Sequence, residues 1–258
     1  LQSLSVNINQ GQQIYFASDL HLGAPNASQS LQREKHFVKW LNEIEKDAAA
    51  LFLVGDVFDY WFEYKHFVPS GYVRLLGKLA NMVDAGIQLF VFTGNHDLWM
   101  KNYFEKEIGA KVFFNPIELN CGEVKMLVGH GDGLGPGDYG YKWMKKVFTN
   151  PICIWLYQQL HPDFSYKIAT FFSRRSREKQ LKNGADDFNG IENEWLYQYA
   201  QKKLKTNFYN YFIFGHRHLP LNEAVTSQSN YINLGDWINH YSYAKFNGQT
   251  LKIAYFKP

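Results

Sequence analysis

Cysteine is nearly absent. The 258 residues contain only Cys121 and Cys153, far apart and in no paired spacing, so neither a disulfide framework nor a thiolate-bound structural zinc site is suggested. A reducing, cytoplasmic setting is the expectation. Long apolar runs are also missing: none reaches the ~18–20 residues that a membrane-spanning helix needs, and any membrane contact is expected to be peripheral. The stretch from Leu1 to Gln13 has no basic segment leading into an apolar core, so no signal peptide is expected there. Excess charge is lacking too. A formal net charge of +3 is too small to imply nucleic acid, which selects a clustered basic face.

Aromatic side chains are plentiful instead. With 21 Phe, 17 Tyr and 7 Trp, the chain carries more rings than a core alone usually requires, and some are expected at a binding surface. The length suffices for a sizeable core, and a single domain over 1–258 with an insertion is expected. Positive charge is densest at Arg174-Arg175-Ser176-Arg177-Glu178-Lys179. A solvated helix face accounts for such a run as readily as a phosphate-binding patch does.

Short β-rich runs recur at 13–18, 50–54, 88–93, 124–128 and 211–214, each closed by a polar or glycine-marked turn. Helical spacing fills 31–46 and 72–84, which gives the alternation of an α/β domain. The stretch 230–256 reads as strand, turn, strand, with Asn247-Gly248 as the hairpin turn.

A side chain of metal-binding type follows each of the five early runs: Asp19 and His21, Asp56, Asn95, His130, then His216 and His218. Ligands of open α/β sheets gather at the carboxyl ends of strands, so these residues are expected to meet in one cleft. Gly55, Gly94, Gly129 and Gly215 directly precede four of them, where unusual backbone angles or a close approach of the chain is expected. Any one of these residues alone is more often a helix cap or an ordinary histidine. Five in phase along the chain are not independent.

The donor set is oxygen and imidazole, which suits hard or borderline divalent ions engaged in hydrolysis. The spacing in Asp19-x-His21 places both side chains on one side of an extended segment, and His216-x-His218 repeats it. Asp56 offers two oxygens and can bridge, Asn95 a neutral amide oxygen, and His130 a further imidazole. Such a set fits two ions roughly 3.5–4 Å apart. His96 is then the natural general acid or transition-state stabiliser, with Asp97 expected to orient its imidazole.

Asp19-x-His21, Gly55-Asp56-x-x-Asp59, Gly94-Asn95-His96-Asp97, Gly129-His130 and Gly215-His216-x-His218 resemble the ordered signature of the calcineurin-like metallophosphoesterases. The resemblance implies an α/β fold, a sandwich of two mixed β-sheets flanked by helices. It implies two divalent ions, manganese first, with iron, zinc or magnesium as alternatives. Asp19, His21 and His218 would hold one ion, Asn95, His130 and His216 the other, and Asp56 would bridge them. His96 would contact phosphate rather than metal, and Asp59 would lie behind the ligands.

The interval between His130 and His216 is 85 residues long, more than a minimal family member needs. Its aromatic-rich helical pattern, from Trp143 and Phe148 through Trp155 to Phe171 and Phe172, predicts a helical cap over about 135–205. Such helices either pack as ordinary core or shelter acyl chains. His130-Gly131-Asp132, Asp138-x-x-Tyr141, the Arg/Ser/Lys-rich segment and Leu234-Gly235-Asp236-Trp237 resemble the branch that hydrolyses the pyrophosphate of UDP-2,3-diacylglucosamine on the lipid A pathway. That resemblance implies water attack on the α-phosphorus, giving UMP and 2,3-diacylglucosamine 1-phosphate (lipid X). It implies an amphiphilic nucleotide-sugar lipid as the partner, met by a cytoplasmic protein peripheral on the inner face of the inner membrane. Arg174, Arg177, Lys179 and Tyr141 are the candidate substrate-binding residues. The best-known members of the branch carry arginine where this chain has His96. A metallophosphoesterase acting on another phosphomonoester or phosphodiester therefore stays open, as does a metal-binding scaffold without catalysis.

Overall fold

The computed structural model describes residues 1–137, 139–182 and 188–258, apart from the side chains of residue 174 and of 176–182. Two six-stranded sheets face each other. In the first, β2 (Gln13–Ala17), β3 (Ala48–Val54), β4 (Gln88–Phe92) and β5 (Lys111–Phe113) run parallel. The antiparallel pair β11 (Ser242–Phe246) and β12 (Leu251–Tyr255) adds to the free edge of β2. The second sheet runs β1 (Gln2–Ser5), β6 (Ile117–Cys121), β7 (Val124–Val128), β8 (Tyr211–Phe214), β10 (Ser229–Leu234) and β9 (Pro220–Thr226). Both sheets mix parallel and antiparallel pairs, as the sandwich expectation requires.

Strand burial follows from position in the layers. β3 is buried along its whole length, Ala-Ala-Ala-Leu-Phe-Leu-Val, because one face meets the second sheet and the other meets helices. Between the sheets, Phe16, Phe52 and Phe90 pack in a row against Met126, Val128 and Ile232. On the outer face, α1 (Ala27–Ile44) and α2 (Val73–Asp84) cover Leu51, Leu53 and Val91 with Phe37, Trp40 and Leu79.

Two polar groups fix these helices. The Asn26 side chain accepts from Gln29 N at 3.0 Å and caps α1. Tyr72, the residue before α2, provides no such cap. The buried Glu34 of α1 does it instead, accepting from Arg74 N at 2.9 Å and Leu75 N at 3.1 Å.

The segment joining β7 to β8 carries α3 (Tyr139–Phe148), α4 (Pro151–Gln158), α5 (Pro162–Lys182) and α6 (Trp195–Leu204). They do not behave alike. No residue of α3 or α4 is buried, and eleven of the nineteen exposed large apolar side chains among the described residues lie within 139–172. α6 is part of the body, since Leu196 and Ala200 pack with Phe212, Phe214 and Tyr231. α4 meets the body through rings: Tyr157 stacks on Trp99 at 5.2 Å and lies 4.8 Å from Phe62. Among the described residues, no helix is long and apolar enough to cross a membrane.

Candidate metal centre

The strand ends of both sheets open onto one site. β2, β3 and β4 deliver Asp19 with His21, Asp56, and Asn95 with His96; β7 and β8 deliver His130, and His216 with His218. All seven expected ligands therefore sit at one edge of the sandwich. The backbone that presents them is not extended. Asp19, His21, Asp56, His216 and His218 have φ of 55°, 44°, 50°, 69° and 53°, the left-handed region that residues with a Cβ enter only at a cost. The extended reading of Asp19-x-His21 and His216-x-His218 is thus corrected: each pair turns inward on a left-handed backbone, which a strand period cannot produce.

Hydrogen bonds between neighbouring strand ends hold that conformation. Asp19 N donates to Gly55 O at 3.1 Å, His21 N to Asp56 O at 2.9 Å, and Gly215 N to His130 O at 2.9 Å. Trp237, buried among Phe37 and Trp40, donates its backbone N–H to Asp19 O at 3.1 Å. The glycines serve mainly as space. Among the four singled out by sequence, Gly55 has a positive φ, of 85°. A Cβ on Gly55 would lie 2.5 Å from His130 Nδ1, one on Gly94 2.6 Å from Asp56 N, and one on Gly215 2.5 Å from Asp19 Oδ2. Three strand ends lack a side chain so that a candidate ligand from another strand end can occupy the place.

Two donor sets result. Asp19 Oδ1 lies 3.2 Å from His218 Nε2 and 3.7 Å from His21 Nε2, and those two nitrogens are 3.1 Å apart. Asp56, His130 and His216 form the second set, where His130 Nε2 is 3.3 Å from both Asp56 Oδ2 and Asn95 Oδ1. Asp56 Oδ2 is also 3.6 Å from His21 Nε2, so this carboxylate stands between the sets. His130 Nδ1 donates to Val54 O at 2.9 Å, which fixes the tautomer that leaves Nε2 a lone pair to offer.

These residues fit divalent cations. Asp19 Oδ1 is buried without a hydrogen-bond partner among the described residues, an arrangement that is costly unless a cation meets it. Burial disfavours the charged carboxylates, yet the surrounding imidazoles hold Asp19 and Asp56 below the usual carboxylate range. Burial also disfavours charge on His130, but Asp56 overrides it and brings the imidazole up to about 10. The site draws positive charge.

The neighbour of His96 differs from expectation. Asp97 was the residue expected to orient its ring, but that buried carboxylate accepts from Gly94 N at 2.7 Å, Val57 N at 2.9 Å and Phe58 N at 3.3 Å. It staples the turn after β4 to the turn after β3. His96 Nδ1 instead lies 3.2 Å from Asp59 O, 3.4 Å from Asp59 Oδ1 and 3.3 Å from the Ser173 hydroxyl of α5. Another donor atom of interest remains, because His96 also groups with His21 and Asp56 within 4.8 Å.

Among the candidate substrate residues, the Tyr141 hydroxyl donates to Asp132 Oδ2 at 2.5 Å, which Lys145 Nζ also reaches at 2.5 Å. The side chains of Arg174, Arg177 and Lys179, like Asp138, lie outside the described residues. Sequence reasoning passed over Arg217, although it stands between two expected ligands. Its guanidinium is buried, paired with Glu194 at 2.8 and 2.7 Å, and lies 4.6 Å from the Trp195 ring. Glu194 sits just before α6 in a stretch that gave no signal.

The chain is similar to UDP-2,3-diacylglucosamine hydrolase from Porphyromonas gingivalis, with 37% identity over 93% of this chain and 96% of that protein. It is also similar to the proteins of that name from Pseudomonas paraeruginosa, at 25% over 87% of this chain and 90% of the other, and from Vibrio parahaemolyticus, at 24% over 92% and 96%. Residues 13–220 match the calcineurin-like phosphoesterase family. That span holds every strand end of the site, and the chain belongs to this family as a metal-dependent phosphoesterase.

Proposed function

We propose that this protein hydrolyses the pyrophosphate of UDP-2,3-diacylglucosamine, water attacking the α-phosphorus to release UMP and 2,3-diacylglucosamine 1-phosphate. The observation that carries the substrate is the likeness to the Porphyromonas gingivalis hydrolase along nearly the full length of both chains. Asp19, His21 and His218 hold one ion in this reading, and Asn95, His130 and His216 the other, with Asp56 between. Manganese is the proposed metal. When bound, the two ions polarise the phosphoryl oxygens and make a water acidic enough to attack near neutral pH.

The chain's own groups do the rest. Each carboxylate has one oxygen pinned by a backbone N–H and the other turned inward, so little reorganisation accompanies the reaction. With Nδ1 of His96 directed at Asp59, Nε2 is the ring nitrogen assigned to the substrate in this reading. The Asp59 carboxylate orients the ring, which donates a proton or hydrogen bond to a phosphoryl oxygen in this reading. The exposed rings and aliphatics of α4 and α5 suit the surface of a bilayer holding such a lipid.

Hydrolysis in water enriched with oxygen-18 tests the bond cleaved. Label in UMP supports attack at the α-phosphorus; label in the diacyl sugar phosphate contradicts it.

A further inference from the structure

A cleft of about 530 Å³ opens beside His130, with Asp132 in its floor. That volume is in the range of small-ligand sites. One wall comes from the end of the first sheet and includes Phe114; the other is α3, which turns Lys142, Trp143, Lys145 and Lys146 toward it. The sequence pattern marks Trp143 only as part of an aromatic-rich helix, and it assigns no role to Lys145 or Lys146.

Among the described residues the charge of the cleft is positive. Lys145 is neutralised by Asp132 at 2.5 Å, and Lys142 donates to Gly135 O at 2.7 Å and meets no carboxylate among the described residues. Lys146 has no acidic partner among the described residues. An acyl chain here would strip water from these ammonium groups and return nothing. An anion would be welcome, and His130 places the inner end of the cleft against the second donor set.

The walls are also flat and uncovered. Trp143 is 69% exposed and Phe114 50% exposed, although both line the cleft. Planar heterocycles stack on such rings. On the opposite side of the centre, the space lined by Asp59, Tyr60 and Tyr166 holds only about 10 Å³. A phosphate joined to a planar base has room on the α3 side alone of these two.

We infer that this cleft receives a nucleoside monophosphate, the nucleotide half of the substrate, with phosphate toward His130, the base against Trp143 and Lys146 beside the anion. The inference rests on the proposed substrate. It places the two halves of that substrate on different sides of the centre, the lipid half toward α4 and α5.

Equilibrium titration with UMP and with ribose 5-phosphate, on the metal-loaded full chain, tests it. The expected result is UMP binding at least tenfold tighter than ribose 5-phosphate, with Trp143→Ala abolishing that preference and Lys146→Glu weakening both ligands at least tenfold. Both residues are exposed in a helix without buried residues, so the fold tolerates the changes. Equal binding of the two ligands to the unsubstituted protein overturns the inference, as does a UMP preference that survives Trp143→Ala. Turnover of UDP-2,3-diacylglucosamine is followed in parallel. Turnover with a UMP preference indifferent to Trp143 removes the cleft assignment alone; a Trp143-dependent preference without turnover removes the substrate reading and keeps the cleft.

Discussion

Asp19 Oδ2 accepts the backbone N–H of His216 at 2.9 Å across 197 residues of sequence, while its Oδ1 has no hydrogen-bond partner among the described residues. Asp56 repeats the arrangement, accepting from His96 N at 2.9 Å through Oδ1 and facing His130 and His21 with Oδ2. Both carboxylates are asymmetric by construction. One oxygen joins two strand ends, and the other faces the imidazoles of the site.

Asp19→Asn separates these two tasks. The amide oxygen can still accept from His216 N, but the NH2 group then points where a cation would bind. Metal content measured by plasma mass spectrometry should fall by at least one ion per chain, with activity down more than 100-fold and the circular dichroism spectrum retained. Two ions retained at full occupancy would contradict the assignment of Asp19.

Glycine at 94 and 215 is required for space. Gly94→Ala puts a methyl group on Asp56, and Gly215→Ala puts one 2.5 Å from Asp19 Oδ2; overpacking of this kind costs about 1–3 kcal/mol. Denaturant titration should show that loss, together with a weakened metal affinity. Gly11→Ala, where nothing lies within 4 Å but φ is +88°, should lower stability without touching metal content. If Gly94→Ala and Gly11→Ala behave alike toward metal, the close approach is irrelevant to the site.

Asp59 and Asp97 should separate in kinetics and stability. Asp59→Asn removes the charge beside His96 Nδ1, so turnover should drop about 100-fold, the low end of general acid–base contributions, with both ions bound. Asp97→Asn leaves backbone N–H groups at Gly94, Val57 or Phe58 without an acceptor, at about 1–3 kcal/mol. His96→Ala should keep two ions and lose turnover. An empty site in His96→Ala would make His96 a ligand.

The Glu194–Arg217 pair joins α6 to the turn between His216 and His218. Glu194→Ala takes the paired carboxylate from a buried guanidinium, and removing one partner of such a pair costs about 3–5 kcal/mol. The double variant Glu194→Ala, Arg217→Ala should be less destabilised than the two single effects added together. Simple additivity in a denaturation cycle would show that the pair is not coupled.

The surface of α4 and α5 offers a separate test. Trp155→Ser with Phe171→Ser removes two rings that are 58% and 59% exposed, and co-sedimentation with anionic lipid vesicles should fall several-fold. Undiminished sedimentation would remove these helices from the proposed membrane contact.

Much of the site was legible because its donors are rare residue types placed in phase with strand ends. β2, β3, β4, β7 and β8 announce themselves by apolar runs that stop at a polar residue. β1 gave no such signal, since Gln2–Ser5 is a largely exposed edge strand. β9 is half-buried or exposed throughout, so it carries no apolar run, whereas the alternation of Ile117, Leu119 and Cys121 in β6 was available and unused. The left-handed turns were hidden for a different reason. Asp and His enter positive φ more often than most residues but still rarely, so residue type does not announce it, and the conformation is held by hydrogen bonds from other strand ends. The same holds for Asp97 and Asp59: adjacency in sequence suggested the wrong carboxylate for His96, because a left-handed turn brings Asp59 beside the ring from another strand end.

The most direct measurement is release of UMP by the manganese-loaded protein from UDP-2,3-diacylglucosamine and from UDP-N-acetylglucosamine under the same conditions. The expected result is release at least 100-fold faster from the diacyl substrate, lost in Asp56→Ala together with bound metal. Equal rates from the two substrates, or no release from the diacyl one, would contradict the proposed function.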